Sequence, residues 1–81
     1  MFFVYAIQSK IDNRLYVGFT DNLERRFSEH NSGKTKSTKA YIPWELVYFE
    51  SVENRIDARN REKYFKSGCG KEHLKMIIKK F

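Results

Sequence analysis

Residues 2–9 (FFVYAIQS) are apolar on both sides of a two-residue period. Phe3, Tyr5 and Ile7 point one way, and Phe2, Val4 and Ala6 the other, which predicts a central strand covered on both faces. Asp12-Asn13 within Lys10–Arg14 is a turn signal, and residues 15–19 (LYVGF) complete a hairpin. Leu15, Val17 and Phe19 share one face of this second strand; Tyr16 and Gly18 share the opposite one. Asp21 with Glu24 three residues later is a capping-box-like start for a helix that runs to about His30 or Asn31. Asn31-Ser32-Gly33 stops it, residues 32–42 are a polar loop, and Pro43 precedes a third strand at 44–51 (WELVYFES). Asn54 with Asp57 caps a second helix that reaches Lys66 and ends at Ser67-Gly68. From Gly70 a last helix carries an apolar face of Leu74, Ile77, Ile78 and Phe81. The order β-β-α-β-α-α predicts an α+β fold: a small three-stranded antiparallel sheet flanked by helices, with residues 1–81 as a single domain.

Composition narrows the chemistry. Hydrophobic residues make up 41% of the 81 positions and aromatics 16%, enough for a compact core and too much for a disordered chain. The single cysteine, Cys69, excludes an internal disulfide framework. With only His30 and His73 beside it, a structural zinc site is disfavoured. No apolar run approaches the roughly 18–20 residues of a membrane span. The start MFFVYAIQSK has no basic leader and reads as a strand, so a cytoplasmic protein without membrane contact is expected. Sixteen basic residues against ten acidic ones give a net charge of +6. Residues 1–53 hold seven of each sign, whereas residues 54–81 hold nine basic and three acidic side chains. The whole excess therefore lies on the last two helices and favours a polyanionic partner.

Three helix positions depart from a plain amphipathic pattern. On the first helix Leu23 and Phe27 define the inward face, and Arg26 and His30 lie within roughly 60° of Leu23 at about 100° per residue. A guanidinium at the edge of a buried face needs an anion; Glu29 is the local candidate, and a phosphate, which suits the planar fork, is the functional one. On the second helix Ala58 and Phe65 face inward and Glu62 lies at the border. It can pair with Lys66 on a solvated face or ligate Mg²⁺, which takes one or two carboxylates and leaves its other positions to water and phosphate. Tyr5 and Tyr16 sit on adjacent strands, either as core aromatics or as site residues. Gly18, on the same face as Tyr16, favours the site, because a glycine inside a strand marks close approach.

Taken together, Val4-Tyr5, then Tyr16-Val17-Gly18, then Asn22-Leu23-Glu24-Arg25-Arg26 and His30 resemble the GIY-YIG nuclease signature. Glu62, within Asp57-Ala58-Arg59-Asn60-Arg61-Glu62-Lys63, is similar to that family's acidic helix motif. The likeness covers nearly the whole chain and is nearest to small standalone bacterial proteins of the family. The N-terminal nuclease domain of the bacterial excision-repair nuclease and the homing endonucleases are more distant. Phe3 stands where the name-giving glycine would be, and the Asn found near the end of many such domains has no counterpart in Ser67-Gly68-Cys69-Gly70-Lys71.

The resemblance implies a phosphodiester hydrolase dependent on one divalent metal, Mg²⁺ or Mn²⁺. Tyr5, Tyr16, Arg26, His30 and Glu62 match the family's catalytic positions, with Glu62 the metal ligand. On that basis Tyr5 is the expected general base and Tyr16 a positioning group. His30 is either the acceptor of the Tyr5 proton, a phosphate contact or a helix C-terminal cap. DNA, including branched or damaged DNA, is the expected partner. Lys34, Lys36 and Lys39 of the loop and the stripe Arg55, Arg59, Lys63 and Lys66 are the expected contacts, with Lys71, Lys75 and Lys79 as a further stripe. A second copy of the chain or a partner protein would have to supply specificity. The competing readings are a nucleic-acid-binding module of the same fold with little activity, and a protein-interaction domain.

Overall fold

The computed structural model describes residues 1–79. It contains β1 (Phe2–Ser9), β2 (Leu15–Thr20), α1 (Leu23–Asn31), a 3₁₀ turn (Lys39–Tyr41), β3 (Trp44–Val52), α2 (Arg55–Lys66) and α3 (Gly68–Lys79). Phe81, expected on the last helix, lies outside the described residues.

The three strands form one antiparallel sheet in the order β2-β1-β3. The doubly apolar β1 is central, as its pattern requires: Val4, Tyr5, Ala6 and Ile7 are each at most 1% exposed. A turn with Asn13 at φ 64° joins it to β2, a backbone state that Asn tolerates better than most residues. On one face Val4, Ala6 and Val17 pack with Ala58 and Phe65 of α2 and Leu74 of α3. On the other Tyr5, Ile7 and Trp44 pack with Tyr16, Leu23 and Phe27. β3 departs from regular pairing between Tyr48 and Leu46, where the register shifts opposite Ala6 and Ile7.

Four details differ from the sequence reading. The N-cap of α1 is Asn22, whose side chain accepts from the Arg25 N–H at 3.0 Å; Asp21 instead pairs with the Arg25 guanidinium at 3.2 Å. The polar loop contains the Lys39–Tyr41 turn. The last helix begins at Gly68, two residues early, because Ser67 closes one helix and opens the next: its N–H donates to Tyr64 O, and its Oγ accepts from Gly70 N–H at 3.2 Å. Cys69 is consequently an exposed residue of the first helical turn rather than of a connecting turn. Asn54 caps α2 as expected, accepting from Asp57 N–H at 2.8 Å.

The layer of α2 and α3 is fixed by a strut and by a glycine. Arg61 donates to both oxygens of Glu50 on β3, at 2.6 and 3.0 Å, and Glu50 also accepts from the Tyr48 hydroxyl at 2.6 Å. Gly70 lies against the carbonyl of Tyr64, and a Cβ there would stand 2.6 Å from Phe65 Cα. Backbone cannot move aside as a flexible side chain can. Gly70→Ala should therefore cost about 1–3 kcal/mol, the usual range for overpacking. Urea denaturation measures it, and an unchanged midpoint would show that the helices do not approach this closely.

Candidate active site

The site is built around a phenol that the sheet cannot satisfy. Tyr5 stands on the central strand, 1% exposed and paired in register with Gly18 of β2. Its ring lies across that glycine: a Cβ on residue 18 would stand 2.7 Å from the Tyr5 hydroxyl and 2.9 Å from Cζ. The Tyr5 hydroxyl is 2.8 Å from His30 Nε2, and His30 Nδ1 is 2.9 Å from Thr38 Oγ1. Thr38 Oγ1 in turn reaches Thr35 O at 3.3 Å. His30 and Thr38 are fully buried.

Buried polar atoms are almost always paired, and this condition sets the direction of the chain. Among the described residues, His30 Nε2 is the one acceptor at hydrogen-bond distance from the Tyr5 hydroxyl, so the phenol donates there. His30 then carries its proton on Nδ1 and donates to Thr38, whose hydroxyl donates to the Thr35 carbonyl. Each proton has an acceptor, and no buried side-chain polar atom is left unpaired among the described residues.

The loop after α1 is held down to make this possible. Trp44 Nε1 donates to Thr38 O at 2.9 Å, and Asn31 brackets the Trp44 backbone, accepting from its N–H at 2.7 Å and donating to its carbonyl at 3.0 Å. The same loop reaches Arg26, whose Nη1 donates to Thr35 Oγ1 at 3.2 Å and to Glu29 Oε1 at 3.1 Å. Thr35 and Thr38, which the sequence offers only as polar loop residues, thus support both Arg26 and His30.

Burial sets the proton affinities. It pushes the Tyr5 phenol up to about 12, with the Arg26 guanidinium pulling the other way and Tyr16 and Glu62 adding to the rise. Burial also lowers His30 to about 4, helped by the positive charge of Arg26. For Arg26 itself burial works against the charge, and the oxygens of Glu29 and Tyr5 more than reverse it, so its pKa is raised.

Tyr16 completes the aromatic wall, its ring edge-on to His30 at 4.9 Å and to Trp44 at 6.3 Å. Glu62 comes from α2, in the layer on the opposite face, yet its charge is felt at Tyr5. Its side chain is 21% exposed and 3.7 Å from Lys66 Nζ, the pairing expected on a solvated helix face. Among the described residues no three His, Cys, Asp or Glu side chains cluster as a metal cage. Glu62 alone fits an ion of the Mg²⁺ type that fills its other positions with water and substrate oxygen. The structure therefore groups Tyr5, Tyr16, Arg26 and His30, with Glu62 within electrostatic reach. Lys34, Lys36, Lys39, Arg55, Arg59 and Lys63 are exposed and without ion pairs among the described residues, whereas Lys66 is engaged by Glu62.

The sequence that builds this site matches the family described as the GIY-YIG catalytic domain over residues 1–80. The chain belongs to the GIY-YIG family, a nuclease superfamily. Among its relatives is a UPF0213 protein of Clostridium perfringens, 42% identical over 81 residues that cover 99% of this chain and 86% of that one. A UPF0213 protein of Staphylococcus haemolyticus is 42% identical over 76 residues, covering 93% and 92%. The solution NMR structure of a UPF0213 protein from Bacillus halodurans superposes with a TM-score of 0.58 at 32% identity, covering 95% of this chain and 85% of that one. No helix among the described residues is long and apolar enough to cross a membrane.

The proton positions are testable by histidine ring NMR. His30 should show the Nδ1–H tautomer and titrate near pH 4, with no midpoint near 6.5. Because its folded pKa lies below the unfolded value, the unfolded chain binds the extra proton between those limits. The associated stability is full above about pH 6.5 and is lost as the pH falls toward about 4, by up to about 3 kcal/mol. Urea denaturation across this range should show the slope, and His30→Gln should flatten it.

Proposed function

We propose that the chain is a metal-dependent endonuclease that hydrolyses DNA phosphodiester bonds. The observation that carries this reading is the hydrogen-bonded series Tyr5–His30–Thr38 beside Arg26. Water attacks a phosphodiester only if it loses a proton, and the phosphate repels anions unless its charge is neutralised. With its pKa near 12, only about 10⁻⁵ of Tyr5 is phenolate at neutral pH. The phenol therefore acts by transfer rather than as a resident anion: it takes the water proton as its own passes to His30 Nε2.

His30 is neutral, so its Nε2 is free to receive that proton. Its Nδ1–H already donates to Thr38, so the imidazolium that forms is hydrogen-bonded on both nitrogens; this offsets part of the burial and of the Arg26 charge that hold its proton affinity down. Arg26 neutralises the phosphate, at the cost of loosening its contact with Glu29. Tyr16 holds His30 and the attacking water in place through its half-buried side chain. Glu62 would hold the Mg²⁺ or Mn²⁺, which when bound supplies Lewis acidity to the phosphate and the leaving oxygen. The exposed lysines at 34, 36 and 39 and the α2 stripe at 55, 59 and 63 would track the DNA backbone.

Plasmid cleavage with Mg²⁺ tests this. Tyr5→Phe, His30→Ala and Glu62→Ala should each slow cleavage by about 10²–10⁴, and the acid limb of the wild-type pH profile should fall near His30's lowered pKa, not near 6.5. Equal cleavage by wild type and all variants would sink the mechanism and identify a contaminant. Salt-dependent DNA binding without cleavage would leave the binding-module reading instead.

A further inference from the structure

Arg26 faces two places. Besides the Tyr5–His30 pair, it lines a cleft of about 440 Å³ that contains neither tyrosine, nor His30, nor Glu62. Phe2 and Phe19 contribute its apolar wall, their rings edge-on at 6.3 Å. Three arginines line it: Arg25 and Arg26 from α1, and Arg55 from the first turn of α2. Arg55 has no ion pair among the described residues, and its Cζ sits 5.9 Å from the Phe19 ring centroid.

Two carboxylates share the cleft. Asp21 lies 3.2 Å from Arg25. Glu29 stands between the other two nitrogens, 3.9 Å from Arg25 Nε and 3.1 Å from Arg26 Nη1. A carboxylate thus occupies a position flanked by two guanidinium forks, the geometry that also suits phosphate oxygens. Three cations against two anions leave the cleft positive, and bringing like charges together is unfavourable unless an anion arrives to offset it.

We propose that this cleft binds a second backbone phosphate of the DNA strand, next to the one held at the Tyr5–His30 site, with the attached sugar against Phe19. The inference rests on the reading of DNA as substrate. Arg26 is the shared wall, so the two phosphates are neighbours along one strand. Arg55 is the residue free to make the new contact, and Phe2 and Phe19 offer the flat apolar surface that a sugar or base edge covers. Arg55 is thereby set apart from Arg59, one helical turn further along α2, which is also exposed but does not line the cleft.

Fluorescence anisotropy of a short labelled DNA duplex, in EDTA so that nothing is cut, separates the two. Arg55 and Arg59 are both exposed, so Arg55→Ala and Arg59→Ala should keep the fold, which circular dichroism checks. Arg55→Ala should weaken binding about tenfold at low salt and make the salt dependence shallower by about one ion. Arg55→Lys should restore the salt slope but only part of the affinity, because an ammonium lacks the fork. Arg59→Ala, which removes one backbone contact of the stripe outside the cleft, should weaken binding only about twofold. Equal losses for Arg55→Ala and Arg59→Ala would overturn the subsite in favour of diffuse helix charge, and no binding by the wild type would overturn it together with the DNA reading. An Arg55-dependent affinity in a protein that never cleaves DNA would uphold the subsite and end the nuclease proposal alone.

Discussion

A phenolic hydroxyl buried on the middle strand of a three-stranded sheet is the constraint from which the site grows. The neighbouring strands occupy the backbone groups of β1, and the Tyr5 side chain stands clear of them, almost wholly shut off from solvent. Left unpaired, such a group costs about 1–3 kcal/mol. The fold answers with a histidine from α1, whose far nitrogen then needs an acceptor, which a threonine from the following loop provides. That threonine needs its own acceptor and finds a backbone carbonyl. The loop is thus drawn down over the helix by a series of obligations that start at the sheet, and Trp44 and Asn31 fasten its other end. The low proton affinity of His30 and the high one of Tyr5 follow from the same burial.

The two layers divide the labour. The α1 side holds the polar series and the aromatic wall, while the α2–α3 side is a conventional apolar core with one ionic strut, Arg61 to Glu50, tying α2 to β3. Glu62 follows Arg61 directly in sequence. The strut that anchors the helix therefore lies one residue from the carboxylate proposed for the metal, and the position of Glu62 is set by packing rather than by a flexible loop.

Much of this was legible in the sequence because the signals are local. The strand of 2–9 shows itself by two-sided apolarity, α2 by the Asn54 cap, and the candidate site by the Tyr5, Tyr16–Gly18, Arg26–His30 and Glu62 spacings. What was not legible depends on long-range geometry. Asp21 and Asn22 are both good caps, and only the backbone path decides between them. Thr35 and Thr38 look like any polar loop residues until the loop folds onto His30, eight residues back from Thr38. Gly68 reads as the end of the second helix, yet it opens α3, and Gly70 is dictated by a helix crossing that no periodicity encodes. Arg61 carries no signal of its own in the sequence until β3 places Glu50 beside it.

Gly18 couples the site to the strand pairing in a further way. Strand pairs can slip, and an error of one residue exchanges every inward side chain for an outward one. Here such a slip would bring Val17 or Phe19 opposite Tyr5 in place of the glycine, and the Tyr5 ring could no longer lie across its neighbour. The glycine that admits the ring therefore also checks the alignment of the hairpin. A misaligned hairpin has no room for the tyrosine ring, so one glycine serves both the site and the alignment.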